Sequence, residues 1–332
     1  MPPRSDLAQA FIEIKSSDIM RVCRGGDHVS EIDGVAFEKR PSLRKPYFVC
    51  GVNGWVNGGD VSIGGVNYLI RQFKAEKFAE MKASRYHVYQ VPGAENLRPV
   101  FKMQDGLIVE YRLPKNEFHF AKVPGSEHDL VLFSGSEPSL NWEEYADAIA
   151  KMALDFEAPR LYTFGGILDR SPYTREPRIS CVCTNAKVKS EMERCNVTFS
   201  SREGPGTFNQ MLLKSCMDKG IEGANLTVRV SYYPEFNVAI DYSAKSIKAV
   251  LVRLNHLMRL GTDFAELNEG IKELEGKLDF VRQQNPQFNA YVEELEKDYV
   301  EMPFEPLDFS GNDAVKFAEQ LLRENNDQRQ GQ

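Results

Sequence analysis

Residues 47–60 read YFVCGVNGWVNGGD, and this stretch decides the class of fold. Its first six residues form an uninterrupted apolar run, which is typical of a strand covered on both faces. Glycines follow at once, and an apolar helical pattern then runs from Val61 to Phe73. A strand, a glycine loop and a helix in this order predict the first unit of an α/β fold.

The same succession of strand, loop and helix recurs along the chain. The predicted strands cover 129–133, 160–164, 179–184, 197–200 and 224–230, and the predicted helices cover 142–156, 185–194, 211–217 and 243–260. Because residues 86–122 alternate with a period closer to two, we expect an antiparallel insertion or a sheet edge there. The sequence therefore predicts a three-layer α/β/α sandwich with a mainly parallel, mixed sheet.

Beyond residue 260 the pattern changes to two amphipathic helices. Apolar residues at spacings of three and four run from 264 to 281, and Asn285-Pro286 ends this helix because proline lacks an N–H donor. A second helix is predicted over 288–299. The pair predicts a C-terminal helical hairpin, which packs either on its own domain or on another subunit.

These changes of pattern divide the chain into four regions. We expect an N-terminal extension (1–44), an α/β/α core domain (45–260), the helical hairpin (261–301), and a connector with a short helix and a disordered tail (302–332).

Composition excludes several classes of function. The 332 residues include 41 basic and 48 acidic side chains, which gives a net charge of −7. An acidic chain binds a phosphate backbone poorly, so we expect no nucleic-acid partner. No apolar run reaches the roughly 18–20 residues of a membrane span, and Asp6 and Glu13 interrupt any signal core. We therefore expect a cytoplasmic protein with no membrane partner.

The cysteines and histidines indicate neither a metal site nor a cofactor. Six cysteines are spread along the chain and are expected to be reduced core thiols. Cys181 and Cys183 alternate on a predicted strand, but no CxxC pair or nearby histidine completes a tetrahedral set. The five histidines have no spacing suited to a metal.

Three glycine-rich bends, each after a predicted strand, are candidates for anion binding. They lie at 51–59, at Gly165-Gly166 and at Gly204-Pro205-Gly206. Glycines let backbone N–H groups approach an anion at a helix N-terminus, although neither the G-x-G-x-x-G nor the P-loop pattern is present. Since open α/β sheets bind ligands at the carboxyl ends of their strands, we expect the bends to share a cleft. Ordinary structural turns are the alternative.

Charged residues beside these bends complete the candidate site. Glu137 directly follows a strand and suits a base or a partner for a ribose hydroxyl, while Arg170 and Arg175 suit an anion; ordinary ion pairs are the alternative. No nucleophile or metalloprotease motif is present, so we predict no catalytic residue and lean against an enzyme without excluding one. The candidate ligand-binding residues are Asn53, Gly54, Gly58, Gly59, Glu137, Gly165, Gly166, Arg175, Gly204 and Gly206.

Four motifs in a fixed order carry a family resemblance. GVNGWVNGG (51–59), DLVLFSGSEPSLNWEEYADAI (129–149), RLYTFGGILDRSPYTREPRISCVCTN (160–185) and EGPGTFNQMLL (203–213) together resemble the proteasome assembly chaperone type 2 family of archaea and bacteria. The resemblance covers roughly residues 45–260, and the stretch 172–177 is most similar to the bacterial branch.

The resemblance implies a core similar to the nucleoside phosphorylase and peptidyl-tRNA hydrolase-like fold, and assembly into homo-oligomers of three or more subunits. The family takes its name from a chaperone that helps to build the proteasome α-ring. It also adds Asn209 to the candidate site, because the family carries an asparagine there. Trp55 is expected to fill space that a phosphate would otherwise occupy.

The leading hypothesis is an oligomeric protein-interaction or assembly-chaperone-like protein with an unidentified protein client. The alternative is a protein that binds a small anion or nucleoside, or a phosphorylase- or hydrolase-type enzyme that uses the glycine loops. A scaffold whose helical hairpin recruits another protein is a third possibility.

Overall fold

The computed structural model describes residues 34–90, 98–238 and 240–304. Its strands are β1 (Val35–Phe37), β2 (Tyr47–Asn53), β3 (Glu76–Met81), β4 (Val100–Gln104), β5 (Leu107–Arg112), β6 (Glu117–Ala121), β7 (Leu130–Ser136), β8 (Leu161–Asp169), β9 (Ile179–Cys183), β10 (Thr198–Phe199) and β11 (Gly223–Ser231). Its helices are α1 (Val61–Gln72), α2 (Trp142–Asp155), α3 (Ala186–Glu193), α4 (Phe208–Asp218), α5 (Ala244–Met258), α6 (Ala265–Gln284) and α7 (Pro286–Lys297). Most of the predicted N-terminal extension, and the predicted C-terminal helix and tail, lie outside the described residues.

One mixed sheet contains nine of these strands, in the order β1-β3-β6-β7-β2-β8-β11-β9-β10. The four central strands, β7, β2, β8 and β11, are parallel. Antiparallel pairs extend the sheet through β6, β3 and β1 on one side and through β9 on the other. The predicted α/β fold with a mixed sheet is therefore confirmed, with the parallel core at its centre.

Helices cover both faces of the sheet, which is why its central strands are apolar on both sides. On one face Val49 and Phe164 belong to a buried cluster with residues of α1 and α5. On the other face Phe48 and Phe133 pack with residues of α2 and α4. The two clusters are the two interfaces of a three-layer sandwich.

Strand β3 was not predicted, because its sequence EKFAEM has neither a continuous apolar run nor strict alternation. It lies near the edge of the sheet, where charged side chains remain accessible to solvent. Lys77 pairs there with Glu38, Glu80 and Glu117.

Helices α6 and α7 form the predicted helical hairpin, and Asn285 joins them. The Asn285 side chain caps α7 by accepting hydrogen bonds from the N–H groups of Gln287 and Phe288. Phe288 and Leu278 are buried in a cluster with Tyr233, which follows β11. The hairpin therefore packs on its own chain, the first of the two alternatives.

The described residues can be compared with the expectations for the cysteines, for membrane spans and for metal sites. The five described cysteines are free, and four of them are buried; Cys23 lies outside the described residues. Within the described ranges, no helix has the length and apolar character needed to cross a bilayer. The same ranges contain no group of three or more His, Cys, Asp or Glu residues arranged to hold a metal ion.

Candidate functional site

The loops after β2 and β7 lie at one edge of the sheet, because these neighbouring strands are parallel. The loop after β2 continues alongside β8, where Asn57 forms a parallel bridge with Gly166. The structure thus brings most of the predicted residues together. The members of this group are Asn53, Gly54, Gly58, Gly59, Glu137, Gly165 and Gly166.

Gly165 and Gly166 allow the loop after β2 to lie directly on β8. The N–H of Gly166 donates to the carbonyl of Val56 at 2.8 Å. A Cβ on Gly165 would lie 2.3 Å from the Val56 oxygen, and one on Gly166 would lie 2.1 Å from the Gly58 oxygen. These glycines therefore have a packing role in the contact between two backbones.

Glu137 holds the same loop from the other side. Its carboxylate accepts a hydrogen bond from the N–H of Trp55, and its own N–H donates to the carbonyl of Asn53 at 2.9 Å. A Cβ on Gly54 would lie 2.1 Å from the Glu137 carboxylate. The contact fixes the backbone of Trp55, which is 70% exposed.

The N-terminus of α1 is already satisfied by the chain itself. The Asn57 side-chain oxygen accepts from the N–H groups of Ser62 and Ile63 at 2.8 and 3.1 Å. The carboxyl group of Asp60 lies beside them; burial raises its pKa, and hydrogen bonds from Asn57 and Gly64 oppose this rise. Because the amides have partners and a carboxyl group is adjacent, this helix start is poorly suited to an anion.

A cavity of about 640 Å³ opens on the sheet face beside this loop. The β2–α1 loop (55–58) and the segment 200–210 supply residues of its walls, and β8 (166–168), β9 (180–182) and β11 (225–229) supply its floor. Gly58 and Gly166 of the predicted set line the cavity. The cavity lies on one face of the sheet, and the shared strand-end cleft stays a prediction.

The remaining predicted residues have different positions. Asn209 is buried and donates to the Phe164 carbonyl and to the Asn225 side chain. Gly204 and Gly206 are exposed within the segment that forms one cavity wall.

The two predicted arginines lie away from the cavity. Arg175 faces Glu301, at 4.0 Å from its carboxylate, and Arg170 pairs with Glu235. These contacts match the ion-pair alternative, and the structure does not bring either arginine to the strand-end loops.

Sequence reasoning missed the residues that give this cavity its charge. Arg202 and Arg229 line it, together with Thr227 and Ser180. A signal was present in β11, where Asn225, Thr227 and Arg229 alternate with buried apolar residues. Asn225 is buried against Asn209 of α4, but Thr227 and Arg229 are only partly buried, which indicates that no helix covers the second half of this face.

A second candidate feature is the two-stranded sheet of β4 and β5, here called the β-arm (100–112). It confirms the predicted antiparallel insertion, and every residue of its two strands is exposed. Directly opposed residues of antiparallel strands share a face, so the pairs Phe101–Tyr111 and Met103–Ile108 form one apolar face. Their side chains are 49–69% exposed.

The opposite face of the β-arm is mixed in character. Lys102 lies opposite Glu110, and Arg112 pairs with Glu110 at 3.5 Å. The β-arm is therefore amphipathic, yet no described residue buries its apolar face.

Comparison with known proteins identifies the family. The model of the PAC2 family matches residues 51–281. The chain belongs to the PAC2 family. The match includes the strand-end loops, the cavity, the β-arm and most of α6.

Several solved structures resemble this PAC2-family chain. A PAC2 family protein from Streptomyces avermitilis has 26% identity and a TM-score of 0.64, over 74% of this chain and 99% of that chain. An archaeal proteasome activator from Pyrococcus furiosus has 25% identity and a TM-score of 0.57, over 74% and 97% of the two chains. A proteasome-assembly chaperone homologue from Mycobacterium tuberculosis shares the fold, with 23% identity, a TM-score of 0.65 and coverage of 74% and 99%. No curated protein matched the chain significantly.

Proposed function

We propose that this PAC2-family chain is an oligomeric, cytoplasmic protein that binds other protein chains and assists their assembly. Its similarity to a proteasome activator and to a proteasome-assembly chaperone homologue supports a chaperone-like role. The single observation that carries the proposal is the uncovered apolar face of the β-arm.

An exposed β-arm of this kind needs a partner for physical reasons. A two-stranded sheet is marginally stable in water unless its apolar face packs against something. Contiguous exposed apolar side chains on a folded protein mark contact sites with other chains. The stacked rings of Phe101 and Tyr111, with centroids 6.1 Å apart, present a flat aromatic surface of the kind enriched in protein interfaces.

The occupant that we propose for this face is a neighbouring copy of the same chain. The face is apolar and carries no charge, so it is complementary to its own equivalent, as a contact between identical subunits requires. The charged groups of the β-arm lie on the opposite face, where Lys102 and Arg112 are balanced by Glu110 only in part. Such a self-complementary contact pairs two subunits, covers their apolar faces and leaves the charged faces in solvent; in an assembly of three or more subunits it would be one of at least two kinds of contact.

Light scattering at micromolar concentration tests this proposal. The wild-type chain is expected to have a mass of at least three subunits, and the double variant Phe101→Ser, Ile108→Ser should lose that assembly. Val100→Ser with Leu107→Ser is the matched control, because these residues are 53% and 69% exposed on the opposite face of the same β-arm. A monomeric wild type, or equal loss of mass in both double variants, would contradict the proposal.

A second candidate function, binding of a small anion or nucleoside, is favoured by the cavity beside the strand-end loops. Its volume of about 640 Å³ lies within the usual range for small-molecule sites, about 300–1,000 Å³. The described lining residues contain neither a histidine nor a carboxylate to act as a base, so binding without catalysis is the form we favour.

A further inference from the structure

The polar groups that line the cavity beside the β2–α1 loop are mostly hydrogen-bond donors. We propose that this cavity binds a small molecule through an oxyanion, a phosphate or a carboxylate group, held by Arg202 and Arg229. The inference deepens the second candidate function above, and rests on it. It is independent of the β-arm.

Two arginines supply the charge. Arg202 comes from the segment before α4, and Arg229 comes from the floor strand β11. Neither guanidinium forms an ion pair with any residue that the structure describes, and the described lining residues include no Asp or Glu. Two uncompensated cations facing one cavity attract an anion, and the planar guanidinium matches the geometry of phosphate and carboxylate oxygens.

A chain of hydrogen bonds beneath the floor occupies one acceptor site of the Thr227 hydroxyl and leaves its proton free to donate. The Phe164 carbonyl orients the Asn209 amide, whose Nδ2 donates to Asn225 Oδ1 at 3.1 Å; Thr163 donates to the same oxygen at 2.8 Å. The Asn225 Nδ2 group therefore points to Thr227 Oγ1, at 3.1 Å. Since the Thr227 oxygen already accepts this bond, its own proton is left to donate to a ligand in the cavity.

The capping box at the start of α4 likewise leaves hydrogen-bond donors free in the opposite wall of the cavity. Thr207 Oγ1 accepts from the N–H of Gln210, and Gln210 Oε1 accepts from the N–H of Thr207 at 2.9 Å. Both side-chain oxygens are thus engaged within the helix. The Thr207 hydroxyl proton and the Gln210 NH₂ group remain available to an acceptor-rich ligand.

Ser180 differs from these donors, because its hydroxyl donates to the Thr227 carbonyl at 3.4 Å. Its oxygen is left as an acceptor, which suits a ligand hydroxyl. The apolar lining residues include Trp55, Leu168 and Val182. The ligand class that fits is a small organic molecule with one oxyanion group and an apolar or ring-shaped portion.

Isothermal titration of the full-length protein tests the proposal with four probes: inorganic phosphate, adenosine monophosphate, adenosine and citrate. We expect at least one of the three anions to bind, and adenosine to bind at least tenfold more weakly than its monophosphate if phosphate is the group recognised. Binding of citrate without either phosphate probe would assign the site to carboxylates. No binding by any of the three anions at concentrations up to about 10 mM, where a dissociation constant of about 1 mM (about −4.1 kcal/mol) would still be detected, would overturn the proposal.

Variants assign the binding to this cavity. Arg229→Gln, Arg202→Gln and Thr227→Val should each weaken the best anion by about tenfold or more, as expected for loss of one charge-assisted hydrogen bond. Arg194→Gln is the control, because Arg194 is exposed on the surface near α3 and does not line the cavity. Equal affinities of the cavity variants and this control would overturn the proposal. Masses measured on the same samples show whether a variant has lost assembly, so the two proposals can fail separately.

Discussion

At the scale of single residues, the strand-end loop depends on positions where no side chain fits. Gly165 meets the backbone oxygen of Val56, and Gly166 meets that of Gly58. A backbone atom cannot move aside as a flexible side chain can, so any Cβ here must displace the loop from β8. The same displacement would move Trp55, whose backbone Glu137 holds in the cavity wall.

Gly165→Ala is therefore expected to destabilise the fold by about 1–3 kcal/mol, the usual cost of overpacking a tight site. Urea denaturation measures the change in the free energy of unfolding. Gly276→Ala is the matched control, since no atom lies within 4 Å of a Cβ at this position in α6 and alanine favours a helix by up to about 1 kcal/mol. Equal stability of the Gly165 variant and the wild type would show that the loop does not need this contact.

At the scale of elements, a buried arginine joins α5 to two other segments. Arg253 is 1% exposed, and its guanidinium donates to the carbonyls of Cys195, Ala249 and Met302 at 2.8, 2.8 and 3.3 Å. Glu176 lies 3.8 Å away; burial raises the pKa of its carboxyl group, and the charge of Arg253 opposes that rise. One side chain thus ties the loop after α3 and the connector after α7 to the same helix.

Arg253→Met is expected to lower the free energy of unfolding by about 3 kcal/mol or more, because it leaves several buried carbonyls without donors and Glu176 without its cation. Thermal and chemical denaturation measure the loss. Arg194→Met, on the exposed surface, should change stability by less than about 0.5 kcal/mol. Similar stabilities of the two variants would mean that the Arg253 contacts contribute little.

Whether the sequence predicts an element depends on the contacts that the element makes. The long central strands and helices were predictable because burial on both faces gives β2 and β7 continuous apolar runs, and amphipathic packing gives α2 and α5 a helical period. The sequence could not predict the antiparallel direction of β9 or the shortness of β10. Both features depend on pairing with strands that are distant in sequence.

The candidate site was predictable in part for a similar reason. Glycines mark where two backbones meet, and the sequence located the loop after β2. Gly165 and Gly166 were predicted as a bend after a strand that ends at 164, which is wrong, because both lie within β8 and pack against that loop. Arg202 and Arg229 are remote in sequence and become neighbours of one cavity only through the pairing of β9, β11 and β8. Before that pairing is known, nothing in the sequence indicates that an arginine in a loop and an arginine in an apolar strand lie at the same cavity.

At the scale of the whole molecule, folding lowers the pKa values of three histidines. Burial lowers the pKa of His87, with partial opposition from its hydrogen bond to Asn116. Burial also lowers the pKa values of His119 and His256. In the unfolded chain these imidazoles bind protons near pH 6.5, so the unfolded state binds more protons than the folded state below that pH.

Stability should accordingly fall as the pH drops from about 6.5 towards the lower pKa values of the folded state, and should be restored at neutral pH. Urea denaturation at a series of pH values from 7.5 to 5 measures this slope. His87→Gln removes one of the groups, so its slope should be smaller than that of the wild type. An unchanged slope in His87→Gln would show that His87 titrates alike in the folded and unfolded chains.

The position of Trp55 has a practical consequence for optical work. The chain contains two tryptophans, and the other, Trp142, donates its indole N–H to the Pro138 carbonyl and packs edge-on against Phe208. Trp142 therefore supplies a constant emission, while the 70% exposed Trp55 in the cavity wall is sensitive to whatever enters. Trp55 is thus a natural fluorophore in the cavity wall, and the emission spectrum of the protein can report ligand binding in the cavity without any label.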